Sequence, residues 1–178
     1  MSVPFIYFPF PLEKTVTLDE DASRHLVQVL RMQKDAAVLL TDGKGTKAHG
    51  FIKDDHRKKT VLEIVQVEKV VPRIKQISIA ISLVKNTARF EWFLEKATEL
   101  GVSSIIPLLC ERTEKEKFRF DRLKGIIVSA MLQSQQVWLP ELIAPVDFKS
   151  FINSSQQYQR KYIAHCLLGD KKEINTRQ

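Results

Sequence analysis

The segment from residue 77 to residue 109 constrains the fold more than any other part of the chain. Residues 77–84 form a nearly continuous apolar run, which is typical of a strand covered on both faces. An amphipathic helix is predicted over residues 88–100, and Gly101 suits the left-handed residue that ends a helix. A second strand is predicted over residues 104–109. Strand, helix and strand in this order indicate a parallel α/β unit.

The same alternation continues after this unit. A helix is predicted over residues 122–137, a short helix over 147–153 and a third buried strand over 161–168. Parallel strands joined by helices connect through right-handed crossovers. We therefore expect residues 72–178 to form an α/β domain with a parallel sheet.

The residues before Pro72 have a different pattern. Strands are predicted over residues 5–8, 36–41, 47–53 and 60–67. One helix interrupts them: Asp19 can cap it, and a buried face is predicted from its apolar spacing, formed by Ala22, Leu26, Val29 and Leu30. Residues 1–71 therefore predict a small β-barrel of about five strands that carries one helix. The overall fold class is α+β.

The turn at residues 42–45 contains Gly43 and Gly45, which with Ala48 match the glycine pattern of dinucleotide-binding loops. That loop requires a helix directly after the glycines, because the helix N-terminus holds the pyrophosphate. Here a predicted strand follows, and Asp-Gly between two strands is a hairpin signal. We interpret the turn as a hairpin.

Composition narrows the class of protein. The 178 residues carry a net charge of +7, which favours a polyanionic partner, nucleic acid before membrane. The two cysteines, Cys110 and Cys166, lie far apart, and no histidine has a second ligand at metal spacing, so neither a disulfide framework nor a metal site is predicted. The first residues lack the pattern of a signal peptide, and we expect a cytoplasmic protein.

Two groups of cations are candidate binding residues. Arg24 and Arg31 are predicted on one stripe of the first helix with His25 beside them, where they form either a solvated face or a phosphate contact. The second group, Lys85, Arg89 and Arg112, lies near the carboxyl ends of two predicted parallel strands, where open α/β sheets bind ligands. The acidic residues nearby leave surface ion pairing equally open, through Glu91, Glu95 and Glu111.

Several segments, in this order, resemble the RsmE family of small-subunit ribosomal RNA methyltransferases, of the SPOUT superfamily: HLVQVLR at 25–31, RFEW at 89–92, EKATELGV at 95–102 and ER at 111–112. The resemblance implies a PUA-like barrel that helps to hold RNA, followed by a knotted α/β domain. It implies methylation of N3 of a uridine in 16S rRNA, or in the small ribosomal subunit, with S-adenosylmethionine, by a homodimer.

The resemblance also implies roles for single residues. It implies RNA binding by Arg24, His25, Arg31 and Lys85, a catalytic role for Arg89 and Arg112, and part of a cofactor site at His165, Cys166 and Leu167.

The chain departs from the family pattern in two places. The Gly-Pro-Glu-Gly-Gly loop and the later segment that build most of the family's cofactor site are absent from the 178 residues, so we expect a truncated SPOUT domain that neither binds the cofactor nor methylates by itself. Gln135 and Gln136 stand where many members carry Gly-Arg. A non-catalytic RNA-binding module is the alternative function.

Overall fold

A computed structural model of the chain describes residues 3–113 and 118–164. Five strands form a curled, half-barrel sheet in the N-terminal region, in the order β1-β3-β4-β5-β2. They are β1 (Phe5–Tyr7), β2 (Thr15–Thr17), β3 (Ala37–Thr41), β4 (Thr46–Asp54) and β5 (Val61–Lys69). All neighbours are antiparallel except β1 and β3. The predicted five-stranded unit is confirmed, although β2 was not among the predicted strands.

The sheet curls around an apolar core. Alternate residues of β3, β4 and β5 point inward, so that Leu40, Ile52 and Leu62 are fully buried. Leu26 of the first helix closes one side of this core. Burying side chains of this size stabilises the sheet by about 1.5–3 kcal/mol each.

The first helix begins as predicted and then changes its geometry. The Asp19 carboxylate accepts a hydrogen bond of 2.8 Å from the main chain of Ala22, at the start of α1 (Glu20–Arg24). A π-helical turn (His25–Val29) follows without a break. The predicted buried face is wrong in its second half, because Val29 is 64% exposed and Leu30 is 41% exposed. The wider π turn changes the phase of the helix, and a side chain beyond that turn no longer faces the core.

The second region is built on a parallel sheet. Its strands are β6 (Ser78–Ser82), β7 (Ser104–Leu109), β8 (Glu141–Leu142) and β9 (Val146–Asp147), and its helices are α2 (Thr87–Leu100), α3 (Phe120–Gln133) and α4 (Phe148–Ser154). The parallel pairing of β6 with β7 confirms the predicted unit. β8 and β9 are also parallel to β7.

Two predictions about this sheet are corrected. The strands β8 and β9 were not foreseen, because two-residue strands carry no periodic signal. Residues 161–164 are exposed and form no strand, although a strand was predicted over 161–168; residues 165–168 lie outside the described part. Every residue of β6 is half-buried, so this strand is not covered on both faces.

Helices lie on both faces of the sheet at β7. α2 and α3 pack on one face through Phe90, Leu94 and Ile127, against Ile105 of β7. The next residue, Ile106, points to the other face and lies beside α4. Gly101 ends α2 in the predicted left-handed conformation, with φ at 79°. In the described ranges, we find no helix with the length and apolar character to cross a bilayer.

Candidate nucleic-acid interface

Two loops meet at the carboxyl edge of the parallel sheet. The loop after β6 carries Lys85, and the loop after β7 carries Arg112. The hydroxyls of Ser82 and Thr113 share a hydrogen bond of 3.0 Å that links these loops. The main-chain N–H of Leu83 also donates to a carbonyl of β7 at 3.2 Å. Strand register and these bonds therefore hold the two cation-bearing loops side by side, as the sequence predicted for this edge.

α2 begins at the same edge. The Asn86 side chain caps it by accepting hydrogen bonds from the main-chain N–H groups of Ala88, at 3.0 Å, and Arg89, at 3.3 Å. This cap fixes Arg89 in the first turn, where its side chain is exposed. The positive end of the helix dipole lies here as well, which adds to the attraction for anions.

Two of the three nearby acidic residues, Glu91 and Glu95, are bound by other cations. Glu91 accepts two hydrogen bonds from Arg122 of α3, at 2.6 and 3.0 Å, and this contact lowers the pKa of the Glu91 carboxyl. Glu95 pairs with Lys96 at 2.9 Å. In the described ranges, no ion pair or hydrogen bond joins the side chain of Arg89 or Arg112 to a carboxylate. Both guanidinium groups therefore face solvent with their charge uncompensated.

A cavity of about 360 Å³ opens beside this edge. It lies between the end of β6 and the first turns of α2 and α3, and its lining includes Thr87, Phe90, Glu91, Arg119 and Arg122. Its volume falls within the usual range of small-molecule pockets. Apolar side chains make up the rest of its lining, and the Arg122 guanidinium within it is bound by Glu91.

The hairpin of the N-terminal sheet contacts the segment after α3. The N–H of Gly45 donates to the carbonyl of Val137 at 2.8 Å, and the N–H of Leu139 donates to the carbonyl of Gly43 at 2.9 Å. The Trp138 ring lies against Gly45, where an added Cβ would come within 2.2 Å of it. Gly43 and Gly45 have φ values of 71° and 86°, which confirms the predicted hairpin. Main-chain bonds thus join the two regions of the molecule.

Comparison with known proteins identifies the family. A family model described as an RNA methyltransferase domain matches residues 72–176, and one described as an RNA methyltransferase PUA domain matches residues 18–65. The chain belongs to this RNA methyltransferase family.

Named members of the family are similar over most of this chain. Ribosomal RNA small subunit methyltransferase E of Synechocystis is 33% identical over 144 residues, which are 79% of this chain and 46% of that protein. The chain thus spans about half the length of this relative. The Bacillus subtilis protein of the same name is 24% identical, over 85% of this chain and 61% of its own length. The predicted resemblance to the RsmE family is confirmed.

Solved structures agree with this assignment. A probable rRNA-methyltransferase from Porphyromonas gingivalis has a TM-score of 0.78 and 32% identity, covering 84% of this chain and 63% of that chain. A ribosomal RNA small subunit methyltransferase E from Neisseria gonorrhoeae, bound to S-adenosyl methionine, has a TM-score of 0.77 and 26% identity, covering 86% and 65%. The PUA-like sheet followed by a SPOUT-type parallel sheet is the shared architecture.

The residues predicted to bind RNA near the first helix are exposed but do not form one regular stripe. They are Arg24, His25 and Arg31. Arg24 makes an ion pair of 2.7 Å with Glu20, one turn earlier. His25 begins the π turn, and Arg31 lies beyond the helix with φ at 54°. The predicted helical spacing of Arg24 and Arg31 is therefore wrong, because the helix widens and then ends at Leu30.

The proposed cofactor residues His165, Cys166 and Leu167 lie outside the described residues. Within residues 3–113 and 118–164, no cluster of His, Cys, Asp or Glu could hold a metal ion. Trp92 was not among the predicted site residues, and its side chain is 63% exposed on α2. Its position opposite the apolar stripe of α2 was the only sequence signal for that exposure.

Proposed function

We propose that the natural product of this gene methylates N3 of a uridine in 16S rRNA with S-adenosylmethionine, and that this chain supplies its RNA-facing part. The observation that carries the proposal is the exposed cationic edge formed by Lys85, Arg89 and Arg112, beside which Arg122 binds Glu91 and Lys96 binds Glu95. Guanidinium and ammonium groups of this kind contact phosphate oxygens. The printed names of the relatives support the reaction class and the small-subunit substrate.

Methylation of uridine N3 determines which contacts the cationic edge has to make. N3 of uridine lies on the base-pairing edge, so the base has to be unpaired or turned outward before it reacts. Loss of the N3 proton leaves negative charge on the uracil oxygens. A fixed guanidinium near those oxygens favours this charge without reorganisation. We assign this role to Arg89 or Arg112, and phosphate binding to Lys85 and to Arg24, His25 and Arg31 on and just after the first helix of the N-terminal region.

S-adenosylmethionine supplies the methyl group when it is bound. The two glycines in the described part of the methyltransferase region are Gly101 at the end of α2 and Gly125 within α3, so this part offers no glycine-rich cradle for an adenosyl group. The proposed cofactor contacts are His165, Cys166 and Leu167. We expect the 178-residue chain alone to bind RNA without methylating it, and tight binding of S-adenosylmethionine in calorimetry would contradict this.

The reaction is tested with the natural gene product and unmodified small-subunit RNA. Incubation with isotopically methyl-labelled S-adenosylmethionine, followed by mass spectrometry of nucleosides, should place the label on uridine N3. Label on another base or none at all would refute the assignment. RNA binding without any methyl transfer would support the alternative, a non-catalytic RNA-binding module.

The catalytic role is tested by replacing Arg89 and Arg112 separately with alanine in the same protein. We expect one of them to slow single-turnover methylation at saturating RNA by roughly 100-fold or more, the effect of removing a charge-stabilising donor. Lys149→Ala, on exposed α4, is the matched control and should leave the rate unchanged. Unchanged rates in both arginine variants would contradict the assignment. Homodimer formation and a cytoplasmic location belong to the same proposal.

A further inference from the structure

Trp92 presents a large aromatic surface to solvent on α2. Its side chain is 63% exposed, and it is the one exposed residue among residues 91–99, all of which the structure describes. The buried side of the helix is formed instead by Phe90, Leu94 and Ala97. Packing of α2 therefore does not explain the tryptophan. Tryptophan is buried to a high degree in most proteins, and a ring left this open is available for an external contact.

The surroundings of Trp92 indicate the kind of contact. Arg89 precedes it by three residues and therefore lies beside it on the helix surface. Lys85 and Arg112 extend the positive charge from Arg89 along the sheet edge. On the following turn, Lys96 is bound by Glu95 at 2.9 Å and by Glu99 at 2.9 Å, so the two carboxylates outweigh the one ammonium group and the positive charge does not extend further along α2. The Trp92 ring therefore lies between the cationic edge and the ion pairs of Lys96.

The ring of Trp92 is available for stacking. Among the described residues, it takes part in none of the aromatic pairs and in no cation–π contact. Its helix neighbours Arg89, Lys96 and Glu99 are polar, so it does not belong to the apolar patch that a protein partner would need. A flat ring beside exposed cations is the arrangement by which proteins bind single-stranded nucleic acid, since bases stack on the ring and phosphates contact the cations.

We infer that Trp92 stacks on an unpaired base of bound RNA, next to the nucleotides whose phosphates contact Lys85, Arg89 and Arg112. This inference rests on the proposed RNA-binding function and adds to it an aromatic contact. The residue acts in binding and orientation of RNA, at a distance of one helical turn from the proposed catalytic arginine.

Binding of a short fluorescent oligouridine to the full 178-residue chain tests the inference. We expect Trp92→Ala to weaken binding by roughly tenfold or more, the usual effect of losing one stacked base. Trp92→Phe keeps an aromatic face and should lose less. Leu100→Ala removes another exposed apolar side chain of the same helix, 76% exposed, and should change nothing. Circular dichroism and unfolding curves of each variant establish that α2 is intact.

The salt dependence separates stacking from charge. Trp92→Ala should lower the affinity at every salt concentration. The slope of log affinity against log salt concentration should stay unchanged, because stacking releases no counterions. Arg89→Ala should reduce the magnitude of that slope by about one, because one phosphate contact is lost. In a Trp138→Phe background, which leaves Trp92 as the one tryptophan, RNA should quench the remaining fluorescence.

The outcomes distinguish two kinds of failure. Wild-type chain that binds no oligouridine would overturn the proposed RNA-binding function together with this inference. Wild-type binding that Trp92→Ala leaves unchanged would overturn the inference alone. The same holds if Trp92→Ala changes the sedimentation of the chain but not its affinity for RNA, since the ring would then contact a second copy. Weaker binding by Trp92→Ala with an unchanged salt slope supports the inference.

Discussion

Gln135 adopts a left-handed backbone conformation, with φ at 53°, directly after α3. The next side chain, Gln136, donates hydrogen bonds of 2.8 Å to the carbonyls of Thr98 and Glu99 at the end of α2. The family resemblance places Gly-Arg at these two positions in many members. Glycine adopts the left-handed conformation of position 135 most readily. At position 136, the glutamine amide caps the end of α2.

Replacing Gln135 with glycine should stabilise the chain. A non-glycine residue in the left-handed region costs about 1–2 kcal/mol, and the extra freedom of glycine in the unfolded chain returns part of that difference. We expect the free energy of unfolding to rise by roughly 0.5–1 kcal/mol in urea denaturation. Gln135→Val, whose branched side chain tolerates this conformation poorly, is the opposite control and should be less stable than wild type. A Gln135→Gly variant with a lower free energy of unfolding than wild type would contradict this prediction.

Asp42 makes the hairpin sensitive to acid. Burial alone would raise the pKa of its carboxyl, but hydrogen bonds from the Thr46 hydroxyl and from the main-chain N–H groups of Lys44 and Thr46, together with the charge of Lys69, outweigh burial and lower the pKa. A carboxyl whose pKa is lower in the folded state contributes stability above its unfolded pKa. That contribution is lost as the pH falls through the folded pKa.

Asp42→Asn should therefore lower stability at neutral pH by roughly 1 kcal/mol, since the surrounding solvent screens part of the interaction. It should also flatten the decline of stability with acid below about pH 4, because the group responsible is gone. Urea unfolding at several pH values measures both effects. Equal acid sensitivity of the variant and the wild type would show that other carboxyls account for it.

At the level of elements, the junction between the hairpin and residues 137–139 depends on the absence of a side chain at Gly45. A Cβ at this position would collide with the Trp138 ring, and φ at 86° disfavours any other residue. We expect Gly45→Ala to cost roughly 3 kcal/mol, from overpacking and backbone strain together. Thermal or urea unfolding measures this loss.

Two controls accompany the Gly45 variant. Gly125 has open space around its Cβ position and lies within α3, so Gly125→Ala should stabilise the chain by roughly 0.5–1 kcal/mol. Trp138→Ala in the Gly45→Ala background removes the collision, and the double variant should lose less than the two single losses combined. Strict additivity would show that the ring does not limit position 45.

The elements also show which structure a sequence pattern can predict. β7 and α2 were predicted with ends at or within one residue of the observed ones, because periodic segments carry a clear signal, whereas the helix predicted over 122–137 is observed over Phe120–Gln133. The strands β2, β8 and β9 have two or three residues and too few positions to show alternation. The π turn could not be predicted either, since its residues have the composition of an ordinary helix; the structure shows it through the hydrogen bond from the N–H of Leu30 to the carbonyl of His25 and through the exposure of Val29.

At the level of the whole molecule, the parallel topology alone predicts that Lys85 and Arg112 lie at one edge, because parallel strands end together. The state of their acidic neighbours could not be predicted in the same way. It depends on Arg122, a residue of the next helix, which binds Glu91 in the folded chain. Whether the surface is neutral or cationic therefore depends on ion pairs between residues that lie far apart in the sequence.

The most direct test of the RNA-binding edge is the salt dependence of RNA affinity, measured on the 178-residue chain with a small-subunit RNA fragment. Replacing Arg89 and Arg112 with glutamine should weaken binding and reduce the slope of log affinity against log salt by about one for each residue. Lys149→Gln, an equal change of charge on α4, should weaken binding far less. Equal slopes and affinities for wild type and the arginine variants would contradict the account.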